Sequence, residues 1–295
     1  MNQNTVVRRS QMITPAASMK MIEKGAGLEC DSLIVDLEDA IAPAKKSEAR
    51  AVMRSALQEL KFEGKEIGVR INGLKSPWFL DDLLALEGLP IDTVVLPKVQ
   101  DAAEVHAYEA MLRQLELRGG RHDISVQILI ETARGLDNIS EIARASSRCE
   151  ALIFGAGDFI ADAGVWATTR GLSYARSRIA AAAAAAGMQA IDHVNPNVND
   201  SEALAKEATQ AREIGYTGKW AIHPLQVAVI NEAFSPGDKE IALARRTITA
   251  YERSLASGIG AMTLDGLMID EAVLKIARRC QLAAQKIGRW ETGNG

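Results

Sequence analysis

Eight short apolar runs recur along the chain, each followed by a stretch with helical signals, and this alternation restricts the fold more than any single motif. The runs are residues 11–15, 32–37, 67–71, 93–97, 125–130, 151–154, 188–194 and 219–223. They are rich in β-branched residues and apolar almost throughout, as strands buried on both faces are. The polar residues that close them are Asp36, Arg70, Lys98, Glu131, Asp158, Asp192 and His223. These recur about every 31 residues, the length of one strand–helix unit. Such alternation calls for parallel strands joined by right-handed crossovers. The pattern predicts a (β/α)8 TIM barrel over residues 8–237, with an open doubly wound sheet as second choice.

The intervening segments carry helix punctuation. Ser76 and Pro77 read as an N-cap and a first-turn proline. Asp101 and Glu104 have capping-box spacing, and Gly119-Gly120 reads as the stop of that helix. Residues 199–214 form another helical unit. The alanine-rich run 180–186 reads as a tightly packed helix, because alanine has the highest helix propensity. After residue 238 the strand signal ends. Residues 238–257 read as an amphipathic helix, 258–266 as a glycine-containing connector and 268–287 as a second helix. The segment 238–290 is expected to be a C-terminal helical extension, not a second catalytic domain.

Composition removes several function classes. Lys plus Arg is 34 and Asp plus Glu is 38, a net charge of −4 that speaks against a nucleic-acid binder but leaves room for a local basic pocket. Three cysteines, Cys30, Cys149 and Cys280, are widely spaced and suit a reducing compartment better than a disulfide or zinc framework. They sit in apolar contexts and read as buried filler. No apolar run reaches the ~18 residues of a membrane span, and the first residues lack a signal-peptide core. The expected location is cytoplasmic. There is no complete dinucleotide fingerprint, Walker loop, HExxH or G-x-S-x-G.

In a barrel, chemistry gathers at the C-terminal strand ends. There the sequence places Asp36-Leu37-Glu38-Asp39, Arg70, Lys98, Glu131 and Asp158, a mixture suited to a divalent cation with an anionic substrate. Glu131 and Asp158 follow adjacent strands, and two carboxylates completed by water and substrate oxygens are a common magnesium arrangement. Helix capping or surface ion pairing is the other reading of each. Arg70 suits a carboxylate or a developing oxyanion, and a salt bridge to Glu38 or Asp39 would be compatible with that work. Lys98 has a similar reading. Arg9 adds positive charge at the mouth, with Arg8 as a solvated neighbour. Lys45-Lys46 reads as a solvated pair, with reach to a phosphate as the other reading, His106 and His122 as surface residues, and His223 as structural. Trp78, Phe79, Trp166 and Tyr174 read as packing or loop residues, with lining a pocket as the other reading.

A set of short motifs in fixed order resembles the citrate lyase β-subunit-like (CitE-like) acyl-CoA lyases of the HpcH/HpaI aldolase superfamily. It runs through Arg9-Ser10, Asp36-Leu37-Glu38-Asp39-Ala40, Val69-Arg70-Ile71-Asn72, Leu96-Pro97-Lys98-Val99 and Ile130-Glu131-Thr132-Ala133-Arg134-Gly135. Phe154-Gly155-Ala156-Gly157-Asp158-Phe159, Ala221-Ile222-His223-Pro224 and Asp265-Gly266-Leu267-Met268-Ile269-Asp270 complete it. The resemblance spans about residues 8–285. One departure is Thr14-Pro15-Ala16-Ala17, where many relatives carry a Val-Pro-Gly loop whose glycine permits close backbone approach.

The resemblance implies a barrel enzyme that cleaves malyl-, citramalyl-, methylmalyl- or citryl-thioesters and assembles as a homotrimer or hexamer. It implies Mg2+ on Glu131 and Asp158, with coenzyme A carried by the substrate. Arg70 and Glu131 would contact the 2-oxo acid, Arg9 and Lys98 would be secondary substrate groups, and Asp270 would be the acid or base lent by a neighbouring subunit. Three readings stay beside a thioester lyase: an aldolase acting on free hydroxy acids, a thioesterase of the same fold, and a citrate lyase subunit needing an acyl-carrier partner.

Overall fold

A computed structural model of the chain describes residues 6–119, 123–258 and 260–290. His122 and Gly120 lie outside the described residues. The apolar runs become β1 (Ser10–Pro15), β2 (Ser32–Asp36), β3 (Glu66–Arg70), β4 (Thr93–Leu96), β5 (Ser125–Ile130), β6 (Cys149–Phe154), β7 (Gln189–Asp192) and β8 (Gly218–Ala221). They pair in parallel in chain order, and β8 returns to β1 through Gln11 opposite Trp220. That pairing closes the barrel and removes the open-sheet alternative.

Alternation along each strand divides the core. Ile13, Ile34, Val95, Leu129, Ile153, Ile191 and Trp220 fill the barrel interior, while a larger cluster packs the strands against the surrounding helices. At the N-terminal end the interior is polar. Trp220 Nε1 donates to Gln11 (2.8 Å), Gln11 donates to Gln127 (2.7 Å), and Ser32 donates to Glu66 (2.7 Å). Arg8 belongs here. It is 1% exposed and donates through Nε to both oxygens of Glu66, so the expectation of a solvated arginine is wrong. Burial of its stem beneath the barrel makes that carboxylate obligatory.

The helices begin and end with local chemistry. Thr132, Thr168 and Asp200 cap theirs by accepting from the backbone three residues on. Glu104 accepts from Gln100 N–H while Asp101 caps Glu104 N–H, so the expected reciprocal box is shifted by one residue. The helix expected from Ser76 begins later, at Phe79–Ala85, because Ser76 instead accepts from Trp78 N–H in a turn. The alanine run ends Thr169–Ala186, where Gly187 takes a left-handed cap.

The chain divides between Phe234 and Ser235 into two compact units. The second holds the helices Asp238–Ala256 and Glu271–Lys286 around a small core of Tyr251, Ile269 and Leu274. Between them lies a hairpin not anticipated from sequence, β9 (Met262–Leu264) with β10 (Leu267–Ile269). Its turn residues Asp265 and Gly266 both have positive φ, 52° and 81°, as a tight hairpin turn requires. Met268 is therefore in a strand, and the last helix starts at Glu271. Among the described residues no helix is long and apolar enough to cross a membrane.

Candidate active site

The C-terminal strand ends gather a dense ring of charge. Asp36 and Arg70 are register partners on β2 and β3. Arg70 donates through Nε and Nη2 to the two oxygens of fully buried Asp36, both at 2.7 Å, a fork that fixes the guanidinium plane. Arg70 Nη1 lies 3.2 Å from Glu38, and the guanidinium stands 5.5 Å from the Trp220 ring centre. The sequence suggested Glu38 or Asp39 as its partner. The main one is Asp36, because equal strand length places that carboxylate beside it.

Glu38 is buried and receives Lys98 Nζ at 2.7 Å. The same ammonium reaches Asp39 at 3.2 Å and Asp158 at 3.9 Å. Lys98 N–H donates to Glu131 Oε1 at 2.7 Å. Asp158 sits in the first turn of the helix Ala156–Ala163, half-exposed, where the helix dipole favours a carboxylate. Gly155, just before that helix, admits no side chain: a Cβ there would lie 2.5 Å from both Cβ and Oε2 of Glu131. Thus Arg70, Lys98, Glu131 and Asp158 are brought together, with Asp36, Glu38 and Asp39 added.

The ring is strongly coupled. Burial pushes the Glu131 carboxyl well above the usual range, and the charges of Glu38 and Asp158 push it further. Burial raises Glu38 too, against the pull of Arg70 and Lys98. Burial works against Asp39 ionising, but Lys98 holds it below its ordinary value. Burial opposes the charge of Arg70, yet Asp36, Glu38 and Glu131 hold its pKa above the ordinary one.

A second set of bonds fixes the loops behind this ring. Lys46 is buried, and its Nζ donates to Leu37 O (2.7 Å), Glu38 O (2.7 Å) and Asn72 Oδ1 (2.9 Å). Asn72 N–H in turn donates to fully buried Asp82 (2.9 Å), which Arg50 also holds. Lys46 was expected to be solvated. It instead ties the β2 loop to the β3 loop, and neither its spacing nor its neighbours disclosed this. A cleft of about 460 Å³ opens here, lined by Glu38, Asp39, Lys46, Asn72, Trp78 and Lys98 among others.

The remaining candidates have other partners. Arg9 precedes β1, and its guanidinium and N–H bind Asp31 ahead of β2. A six-residue strand separates it from the mouth by about 20 Å, so its expected place there is wrong. Asp270 lies in the second unit and caps the helix Glu271–Lys286 by accepting from Val273 N–H at 3.0 Å. His223 caps the helix Pro224–Ala233, a structural role. Trp166 and Tyr174 are exposed, and Phe79 packs edge-on against Tyr108.

Among the described residues, Asp192, His193 and Glu207 bring three ligand-type atoms within 4.8 Å of one another. Lys219 Nζ occupies that position, 2.8 Å from Asp192 and 3.3 Å from Glu207, and Arg176 also holds Asp192. Burial disfavours the Glu207 charge, but His193 and Lys219 bring its pKa down to about 2. The chain supplies its own cation there.

The family model HpcH/HpaI aldolase/citrate lyase matches residues 9–224. The chain belongs to this family. The HpcH/HpaI match covers the barrel from before β1 to just past β8. An L-malyl-CoA/beta-methylmalyl-CoA lyase of Cereibacter sphaeroides is 36% identical over 91% of this chain and 92% of its own length. The citrate lyase subunit beta of Leuconostoc mesenteroides subsp. cremoris is 35% identical over 94% and 93%. Among solved structures, CitE from Mycobacterium tuberculosis in complex with magnesium, acetoacetate and coenzyme A has a TM-score of 0.78. It is 32% identical and is matched over 97% of this chain and 99% of that one.

Proposed function

We propose that the chain is a magnesium-dependent carbon–carbon lyase that cleaves a 3-hydroxyacyl-CoA thioester into a 2-oxo acid and acetyl- or propionyl-CoA. The observation that carries this reading is the convergence of Arg70, Glu131 and Asp158 at one barrel mouth, in a chain of this family. Malyl-, citramalyl-, methylmalyl- and citryl-CoA are the candidate substrates, consistent with the relatives' names.

The donor set fits magnesium. Glu131 and Asp158 offer two carboxylates, and burial, reinforced by the charges of Glu38 and Asp158, raises the Glu131 pKa in a way that a bound cation would offset. When bound, the ion would supply Lewis acidity toward the substrate's carboxylate and hydroxyl oxygens. Asp36 fixes the Nε–Nη2 edge of Arg70, and its Nη1 lies 3.2 Å from Glu38, so the oriented guanidinium can hold the substrate carboxylate and steady negative charge as the C2–C3 bond breaks. A single pre-aligned donor of this kind is worth about 3–4 kcal/mol of barrier. Lys98 pairs with the neighbouring carboxylates of Glu38 and Asp39 and offsets their charge. The substrate hydroxyl must lose its proton as the C2–C3 bond breaks and the enolate carbon left behind must gain one, and Asp270 of a neighbouring copy in a homotrimer or hexamer is the group proposed to take the first as base and return it as acid.

The test is a thioester panel assayed with and without Mg2+, with keto acid and acyl-CoA read together by mass spectrometry. Metal-dependent release of a 2-oxo acid is expected. Release of free CoA beside an intact hydroxy acid would replace the lyase by a thioesterase. No turnover of any thioester would refute the reading in favour of free hydroxy-acid cleavage or a carrier-protein substrate.

A further inference from the structure

Lys98 is one of three non-glycine residues with positive φ among those described, at 56°. The other two are Asp123 and Asp265, a residue type that tolerates the left-handed region. A lysine there carries a steric cost that its neighbours must offset. The conformation turns Lys98 N–H onto Glu131 Oε1 at 2.7 Å. That bond fixes one oxygen, while Gly155 leaves room for the other, since a Cβ at 155 would lie 2.5 Å from Oε2. The side chain of the same residue goes to the rest of the ring. Its ammonium lies 2.7 Å from Glu38, 3.2 Å from Asp39 and 3.9 Å from Asp158. The side chain is 42% exposed, so its long stem is free to swing outward.

We propose that Lys98 is a positioning residue whose two halves act oppositely on divalent-cation affinity. The left-handed backbone promotes binding by aligning Glu131, and the ammonium opposes it as a resident cation that must leave Asp158. This rests on the reading that Glu131 and Asp158 hold the ion. The arrangement keeps a crowd of carboxylates neutralised before the cation arrives, and it sets affinity without either residue being changed.

Two substitutions separate the halves. Lys98→Gly keeps the N–H and adopts positive φ freely, but removes the ammonium. Removing a unit charge this close to the ligands is expected to lower the Mg2+ dissociation constant about tenfold. Lys98→Val also removes the ammonium, but its β-branched side chain resists positive φ and swings the N–H away from Glu131. Its affinity is expected to fall about tenfold below that of Lys98→Gly. Lys98→Asn, which tolerates the left-handed region, should match Lys98→Gly and serves if the valine variant does not fold.

The experiment is calorimetric titration of Mg2+ into the full chain, without substrate, for wild type, these variants and Glu131→Gln, with thermal unfolding recorded for each. Tighter binding by Lys98→Gly, with Lys98→Val weaker than it, supports the proposal. Lys98→Gly binding no tighter than wild type overturns the ammonium half. Equal affinities for glycine and valine variants, or asparagine weaker than glycine, overturn the backbone half. Glu131→Gln binding as well as wild type overturns the metal assignment itself, as does a wild type that does not bind.

Discussion

Replacing Asp36 by Asn removes one charge and exchanges one acceptor for a donor, with almost no change of shape. Asp36 Oδ1 accepts from Arg70 Nε (2.7 Å) and Glu38 N–H (2.9 Å), and Oδ2 accepts from Arg70 Nη2 (2.7 Å) and Ala40 N–H (3.3 Å). In the variant, one amide oxygen can keep the first pair. The amide nitrogen then faces two donors, in a position with no exposure to water. A charge-assisted bond and a neutral one are lost, and a buried guanidinium is left with Glu38 at 3.2 Å and the charge of Glu131. Such a change costs about 3 kcal/mol. That corresponds to a fall of about 6–12 °C in the melting temperature of the barrel. The released fork lets Arg70 shift, and a displacement of an ångström is enough to lower kcat/KM about a hundredfold. Differential scanning calorimetry and the thioester assay read the two effects. The exposed pair Lys45–Glu48 supplies the control, and Lys45→Gln should leave both readouts unchanged. If Asp36→Asn melts within 2 °C of wild type, the view that this pair anchors the site is wrong.

Glu131→Gln should stabilise the metal-free protein at neutral pH. The folded pKa of Glu131 lies above its unfolded value, so its contribution to stability is intact below about pH 4 and is lost as pH rises through the folded pKa. The gain should therefore vanish in melts at acid pH, and a constant difference from pH 4 to 8 would contradict the burial argument. Gly155→Ala places a Cβ against the Glu131 carboxylate, so Mg2+ binding and turnover should drop at least tenfold while the fold persists. Metal titration beside circular dichroism checks it, and unchanged Mg2+ affinity would show that Glu131 has room to move. Lys46→Met leaves Leu37 O, Glu38 O and Asn72 Oδ1 without their shared donor, at a cost of about 2–4 kcal/mol. Chemical denaturation measures that loss, and kcat/KM should fall with it because the β2 and β3 loops carry Glu38 and the cleft wall.

The barrel was legible because its evidence repeats. The strands are mostly apolar on both faces and end where water and ligand begin, so the polar closers Asp36, Arg70, Lys98 and Glu131 mark the mouth at intervals of about one strand–helix unit. The hairpin at Met262–Ile269 escaped because three-residue strands are too short to show an alternation, and its Asp265-Gly266 turn was the one signal available. Within the site, the residues at strand ends could be named, but their partners could not. Whether Arg70 pairs with Asp36 or with Glu38 depends on strand register, which periodicity does not supply. Arg8 and Arg9 show the same limit from the other side. Both stand before the first strand, and only barrel closure decides that Arg8 is buried on Glu66 while Arg9 stays with Asp31, far from the mouth. Lys46 is the sharpest case. Its neighbour Lys45, at the end of the short turn Pro43–Lys45, is solvated, yet at the first position of the helix Lys46–Glu59 the ammonium faces two carbonyls of another segment. A charged residue is read as exposed because desolvation is expensive, and that inference fails where the fold converges several acceptors on one point. Such convergence is a three-dimensional property, and in this chain it occurs behind the loops that shape the proposed active site.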